Sequence, residues 1–167
     1  MRRERPTFPD GYGLPETDDG LLEWSAIEER LVASKHYWLS TVRPDGRPHT
    51  IPRWGVWLDE RFYYDGSPAT RHARNAELNP HCTLTLEDGW RAVILEGTSV
   101  ATRADAALGA RLAAAFEKYH DDGYTPAADA WSGDDGGGLR VFTPKTAMAW
   151  TTFPTDATRF VFDAGPA

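Results

Sequence analysis

The stretch "SPATRHARNAELNP", residues 67–80, places hydroxyls and two arginines at what reads as the start of a helix. Ser67 stands where an N-cap belongs, and Pro68 takes the first helical position, where a missing N–H does no harm. The unbonded N–H groups of a first turn, together with the helix dipole, make an anion site. Arg71 and Arg74 project on neighbouring sides of that end, and Thr70 adds a hydroxyl donor. Positive side chains there oppose the dipole by about 0.3–1 kcal/mol each unless an anion answers them. Two readings stay open from spacing alone: a bound phosphate, or two arginines paired with surface carboxylates. Acidic residues outnumber basic ones 25 to 18, so partners for the second reading exist.

Other chemistry is sparse. His36, His49, His72, His81 and His120 show no metal-ligand spacing, and Cys82 has no second cysteine nearby, so no metal is expected. The Asp- and Gly-rich runs near 120–136 do not follow the ligand order of a calcium loop. A formal net charge of −7 argues against general nucleic-acid affinity and against an anionic membrane surface, so any anion site must be local. One cysteine allows no internal disulfide and makes a reducing, cytoplasmic setting the expectation. No apolar run approaches the roughly 18 residues of a membrane span. The first 20 residues lack the apolar core of a secretory signal.

The elements that must position the basic stretch are legible from periodicity. "WSAIEERLVAS" carries Ser25 and Glu28 at capping-box spacing and predicts a helix over about 25–34. "HYWLSTVR", "RPHTIPRWGVWL" and "RFYYDG" (36–43, 47–58 and 61–66) predict three strands of an antiparallel meander. Pro48 and Pro52 cannot donate to a ladder, which places part of the second strand on an edge or at a bulge. Beyond the basic helix, "CTLTLE" (82–87) and "RAVILEGTSVATR" (91–103) predict a further hairpin. Thr102 and Asp105 cap a third helix, 120–138 reads as a long loop able to act as a lid, and strands return at 139–153 and 157–162. The expected fold is mainly β (α+β): an antiparallel split β-barrel of about seven strands with about three appended helices. Residues 1–23 form an irregular arm, 24–163 one cofactor-binding domain and 164–167 a tail.

The order "WLSTVRPDGRPHTIPRWGVW", "FYYDGSPATRHARNAELNP", "VILEGTSV" and "AMAW…ATRFVF" resembles the split β-barrel flavin- and deazaflavin-binding superfamily. That superfamily includes pyridoxamine 5′-phosphate oxidases and the B group of F420-dependent reductases. The resemblance implies a homodimer with cofactor sites at the interface. It assigns Thr70, Arg71, Arg74 and Asn75 to the cofactor phosphate, with His72 in place of the usual lysine. Tyr64, Asp65, Gly66 and Ser67 become the turn that brings backbone to the cofactor, and His49, Thr50, Ile51, Pro52, Arg53 and Trp54 the strand beside its ring. Lys118, Tyr119 and Trp150 are implied as contributions from the partner subunit.

F420 is the expected cofactor and FMN the alternative. The chain lacks the arginine-rich C-terminal signature of pyridoxamine phosphate oxidases, and F420 carries several anionic groups on its tail. The expected activity is hydride transfer between F420 and a small organic substrate. The alternatives are an FMN-binding, pyridoxamine 5′-phosphate oxidase-like flavoprotein, or a carrier or sensor that holds F420, FMN or haem without turnover. No dedicated general base stands out; Tyr64 and His49 are weak candidates for proton donation.

Overall fold

The computed structural model describes residues 1–163; the expected tail, 164–167, lies outside the described residues. Strand β2 (Tyr37–Val42) turns Tyr37, Leu39 and Thr41 inward and Trp38 and Val42 outward, the period of two that one buried face demands. It pairs on one edge with β3 (Pro48–Arg53) and on the other with β6 (His81–Thr85). The sheet continues through β7 (Val93–Ala101), β8 (Arg140–Ala149) and β9 (Thr158–Val161). The short hairpin of β4 (Val56–Leu58) and β5 (Arg61–Tyr64) joins the first half of β8 on the edge whose second half takes β9. The sheet thus forks at β8, while β3, at the far end of the order, pairs with β2 alone. Hydrogen bonds do not close the barrel, and the chain crosses the gap at Trp54-Gly55, between β3 and β4.

Residues on the two faces of β5 sort into two cores. Phe62 and Tyr64 lie in the barrel with Tyr37, Leu39, Leu84 and Leu95, and the helix α1 (Trp24–Ala33) adds Ile27 and Leu31. Tyr63 faces the other way, into a second core with Leu112 and Phe116 of α3 (Ala106–Phe116) and with Trp131. The basic helix, α2 (Arg71–Leu78), contacts β2 and β7. No helix among the described residues is long and apolar enough to cross a membrane.

The antiparallel barrel with three α-helices matches the expectation, and three details differ. The strand expected over 47–58 is two strands, because the chain breaks at Trp54-Gly55; a side chain on Gly55 would run into the Phe62 ring at 2.3 Å. The arm expected to be irregular contains β1 (Arg2–Glu4), paired with β9, which brings the described strands to nine. Arg5 ties that arm down by donating to the carbonyls of Thr17, Asp19, Thr155 and Ala157. The capping box expected at Ser25 is absent: Glu23 precedes α1 without a side-chain cap, and Glu28 instead accepts from Trp57 Nε1 at 3.0 Å.

Asp59 and Glu60, the two residues linking β4 to β5, both adopt left-handed backbone, with φ of 52° and 55°. A two-residue hairpin of this type favours glycine at its second position. Glu60→Gly should therefore raise the unfolding free energy by about 1 kcal/mol. Chemical denaturation measures it, and a midpoint that stays or falls contradicts the assignment.

Candidate functional site

The approach to α2 is a turn before it is a helix. Thr70 N–H and Thr70 Oγ1 both donate to Ser67 O, at 3.1 and 2.9 Å, so Ser67 to Thr70 close as a β-turn with Pro68 at its second position. Thr70, not Ser67, is the N-cap, and Arg71, not Pro68, is the first helical residue. Thr70 spends its hydroxyl on that carbonyl and leaves the helix uncapped. Arg74 N–H is the first to bond within the helix, to Thr70 O at 3.1 Å. The N–H groups of Arg71, His72 and Ala73 have no partner among the described residues.

Alternation along α2 buries His72, Ala73, Asn75 and Ala76 and leaves Arg71 and Arg74 outside. Asn75 Nδ2 donates to Thr41 Oγ1 at 3.0 Å in the interior, and Thr41 Oγ1 in turn donates to His49 O at 3.3 Å. Glu77 meets the buried Arg140 at 2.6 Å, whose remaining donors reach Ser99. The first link seats α2 against the end of β2 and next to β3, and the second ties its last turn to the start of β8. Asn75, assigned to the phosphate by resemblance, here turns its amide inward.

Neither Arg71 nor Arg74 has a carboxylate partner among the described residues, so the surface-pairing reading finds no support. Arg53 lies over the Tyr64 ring, 5.5 Å from its centroid, and donates from Nη2 to Asp65 O. Its Nε is buried without a partner, and so is Nε of Arg43. Sequence reasoning passed over Arg43. Its signal is its place at the mouth of the Pro44-Asp45-Gly46 turn, one strand from His49, but no local pattern foretells a buried, unpartnered Nε there.

Burial, then the charges of Arg43 and Arg71, hold the His49 imidazole below its ordinary pKa. His72, 3% exposed, is lowered to about 4 by burial first and then by Arg53, His49 and Arg140. Its Nε2 lies 3.3 Å from Thr70 Oγ1. Both histidines are thus neutral near pH 7, and the local positive charge comes from arginines.

On β3, His49, Ile51 and Arg53 are half-buried on one face, and Pro48, Thr50 and Pro52 are exposed on the other, where Thr50 Oγ1 meets Ser40 Oγ at 2.8 Å. Trp54 stacks on Tyr119 with centroids 5.0 Å apart. Tyr64 is fully buried, with its hydroxyl 2.6 Å from Ser99 Oγ and its pKa raised by that burial. Asp65 accepts from Tyr124 Oη and, at 2.8 Å, from Trp131 Nε1. Gly66 is approached by Arg53 on one side and Gly138 on the other, where a side chain would collide with Gly66 O at 1.9 Å. Lys118 is spent inside its own chain, donating to Ser34 O at 2.6 Å, Val32 O and Tyr37 Oη, and burial lowers its pKa to about 8. Trp150 sits past the end of β8, with Phe153 at 5.3 Å, at the opposite end of that strand from Arg140. The structure therefore joins residues 49–54, 64–67 and 70–75 in one neighbourhood, sets Lys118 behind the Tyr119 ring on which Trp54 stacks, and leaves Trp150 at the other end of β8.

The 120–138 segment is anchored at Trp131, while most of its residues are exposed. Trp131 is 1% exposed and stacks on Phe116 at 5.5 Å, and its bond to Asp65 fastens the segment to the turn before α2. The segment expected to act as a lid is thus held at this point.

The buried His72 gives a pH test. Its unfolded imidazole takes up a proton as pH falls through about 6.5, whereas the folded one resists until about 4. The unfolded state thus binds more protons in that window, and acidification costs stability across it. His72→Gln should make the loss of unfolding free energy between pH 6.5 and 4 shallower than in the wild type. Parallel curves would show that His72 does not stay neutral.

The sequence profile of the family described as pyridoxamine 5′-phosphate oxidase matches residues 24–151. No curated protein sequence matches the chain. Among solved structures, an F420 reductase aligns at TM-score 0.52 and 21% identity, over 84% of this chain and 98% of its own. A haem-binding protein from Mycobacterium smegmatis aligns at 0.58 and 17%, over 84% of this chain and 59% of its own. An FAD-binding protein from Mesorhizobium loti aligns at 0.56 and 16%, over 83% and 94%. At such identities the likeness is one of fold, and it agrees with the sheet that forks at β8 without closing. The forked barrel and a profile covering most of its length show that the chain is a split β-barrel of the pyridoxamine 5′-phosphate oxidase family.

Proposed function

We propose that the chain is an F420-dependent oxidoreductase that holds the anionic tail of the deazaflavin at the start of α2 and its ring along β3. The observation that carries this reading is the combination of three unbonded helix N–H groups with Arg71 and Arg74, neither paired with a carboxylate. Buried, unpartnered Nε atoms on Arg43 and Arg53 add donors that await an acceptor. One phosphate monoester needs fewer cations than Arg43, Arg71 and Arg74 supply, whereas the F420 tail carries a phosphate and several carboxylates. The solved F420 reductase supports the choice. The family profile supports a second reading, in which FMN takes the same site by its single phosphate.

When bound, the deazaflavin supplies hydride transfer, and the protein's part is to orient ring and substrate and exclude water. The stacked Trp54 and Tyr119 give a rigid apolar wall beside β3, and Asp65 fixes the second wall through Trp131. Tyr64 is closed off against Ser99, which leaves His49, half-buried on the face it shares with Arg53, as the proton-carrying side chain of the cleft. A second copy of the chain completes the reading. The outer sheet face supports it: Trp38 and Val42 are exposed there, and a hollow of about 510 Å³ lined by Ser40, Val42 and Pro48 opens beside them. Cys82, the sole cysteine, is buried and free, in keeping with a reducing cytoplasm.

The Arg71→Ala/Arg74→Ala variant tests the proposal. Both side chains are exposed, so the thermal midpoint should hold while the Kd for F420, and for FMN, rises by about 100-fold or more. Unchanged affinity for both cofactors, or a wild type that binds neither, overturns the reading.

A further inference from the structure

The β2–β3 ladder stops one rung short, and a side chain from far along the sequence stands in the missing place. Arg43 N–H donates to Arg47 O at 2.9 Å, so the pairs in step with it, Thr41 with His49, Leu39 with Ile51 and Tyr37 with Arg53, exchange main-chain hydrogen bonds. The next pair in that register is Lys35 with Gly55, yet the ladder ends at Tyr37 and Arg53. The Tyr119 hydroxyl lies where the rung would be. It accepts from Gly55 N–H at 3.0 Å, and its one proton faces Lys35 O at 2.7 Å and Gly55 O at 2.8 Å. An N–H to carbonyl rung thus becomes N–H to hydroxyl to carbonyl, and the inserted oxygen holds the strand ends apart.

Neither side of this insertion has room to give. Tyr119 is fully buried in the turn Glu117–Asp122 that follows α3, and its neighbour Lys118 fastens the same turn to Val32 O, Ser34 O and Tyr37 Oη. A side chain on Gly55 would meet Tyr63 O at 2.5 Å as well as the Phe62 ring, so its backbone lies flush against β5. Trp54, between Arg53 and Gly55, belongs to no ladder. Its indole is set by the Tyr119 ring, nearly parallel to it at 19°, and the residue stays 38% exposed. We propose that Tyr119 is the positioning residue of the cleft: its hydroxyl replaces the next β2–β3 rung, and its ring sets the Trp54 indole that walls the site. The resemblance assigns Tyr119 to the partner's half of the site, whereas here its hydroxyl and ring are both engaged on its own strand ends. The proposal rests on the reading of the β3–α2 cleft as a flavin-type site and adds what fixes one wall of it.

Tyr119→Phe keeps the ring and removes the hydroxyl, which leaves Gly55 N–H and Lys35 O to meet each other. Two measurements decide. The nitrogen–proton resonance of the Trp54 indole, identified by its loss in Trp54→Ala, should shift in cofactor-free Tyr119→Phe while that of the remote Trp90 stays. Affinity for FMN or F420, whichever binds more tightly, should fall about tenfold in Tyr119→Phe, yet by less than about twofold when the same change is made in Trp54→Ala. An unmoved indole, an unchanged affinity, or an equal loss in both backgrounds each overturns the proposal and leaves the site reading standing. A fall in stability alone is what a packing role gives. Failure of the wild type to bind either cofactor overturns both readings. If Tyr119→Phe does not fold, nuclear Overhauser contacts in the wild type decide: the Tyr119 ring must reach both the Gly55 amide and the Trp54 indole, and absence of either overturns the proposal.

Discussion

The hydrogen bond from Asn75 to Thr41 sets where α2 can begin. Both groups are buried, and leaving either unpaired would cost about 1–3 kcal/mol, so the helix is held at one depth and one rotation against β2. Because Thr41 also reaches His49 O, the same contact ties the helix to the edge strand. Arg140 secures the far side: it is 5% exposed and so must be answered, and Glu77 of α2 answers it. The first amides of α2 take their position from these two links, while Arg53 is held by the pairing of β3 with β2 and by Asp65 O.

The site carries an electrostatic cost. The chain is acidic overall, yet Arg43, Arg53, Arg71 and Arg74 gather around a helix end that is itself positive. Several arginines elsewhere are answered by carboxylates, as Arg47 is by Asp45 and Arg111 by Asp59. The two histidines of the cleft are held neutral, which limits the repulsion without removing it. Uncompensated charge beside uncapped amides is what an anion site looks like before its ligand arrives. The net negative surface around it confines that attraction to one place.

What could be read from the chain in advance was what local chemistry dictates. The alternation in β2, the hairpin turns, the Asp105 cap on α3 and the edge position implied by Pro48 and Pro52 all depend on neighbours within a few residues. The start of α2 was misplaced by three residues because Ser67-Pro68 fits a helix cap and a β-turn equally well, and the Thr70 bond to Ser67 decides between them. The pairing of β1 with β9, the inward Asn75 amide, the buried Nε of Arg43 and the fastening of Trp131 to Asp65 join residues 34 to 159 positions apart or depend on such contacts, and no periodicity encodes them. The lysine at 118 reads from sequence as a free cation; only the fold shows its three acceptors.

The central claim is that an anionic group on a redox cofactor is the ligand of the α2 start. Calorimetric titration of the wild type with FMN and with riboflavin, and with F420 and its phosphate-free deazaflavin, isolates that group while leaving the ring unchanged. The account predicts that removing the phosphate weakens binding by about 100-fold or more in at least the tighter pair, with the difference shrinking as salt is raised. Equal affinity with and without the phosphate would contradict it.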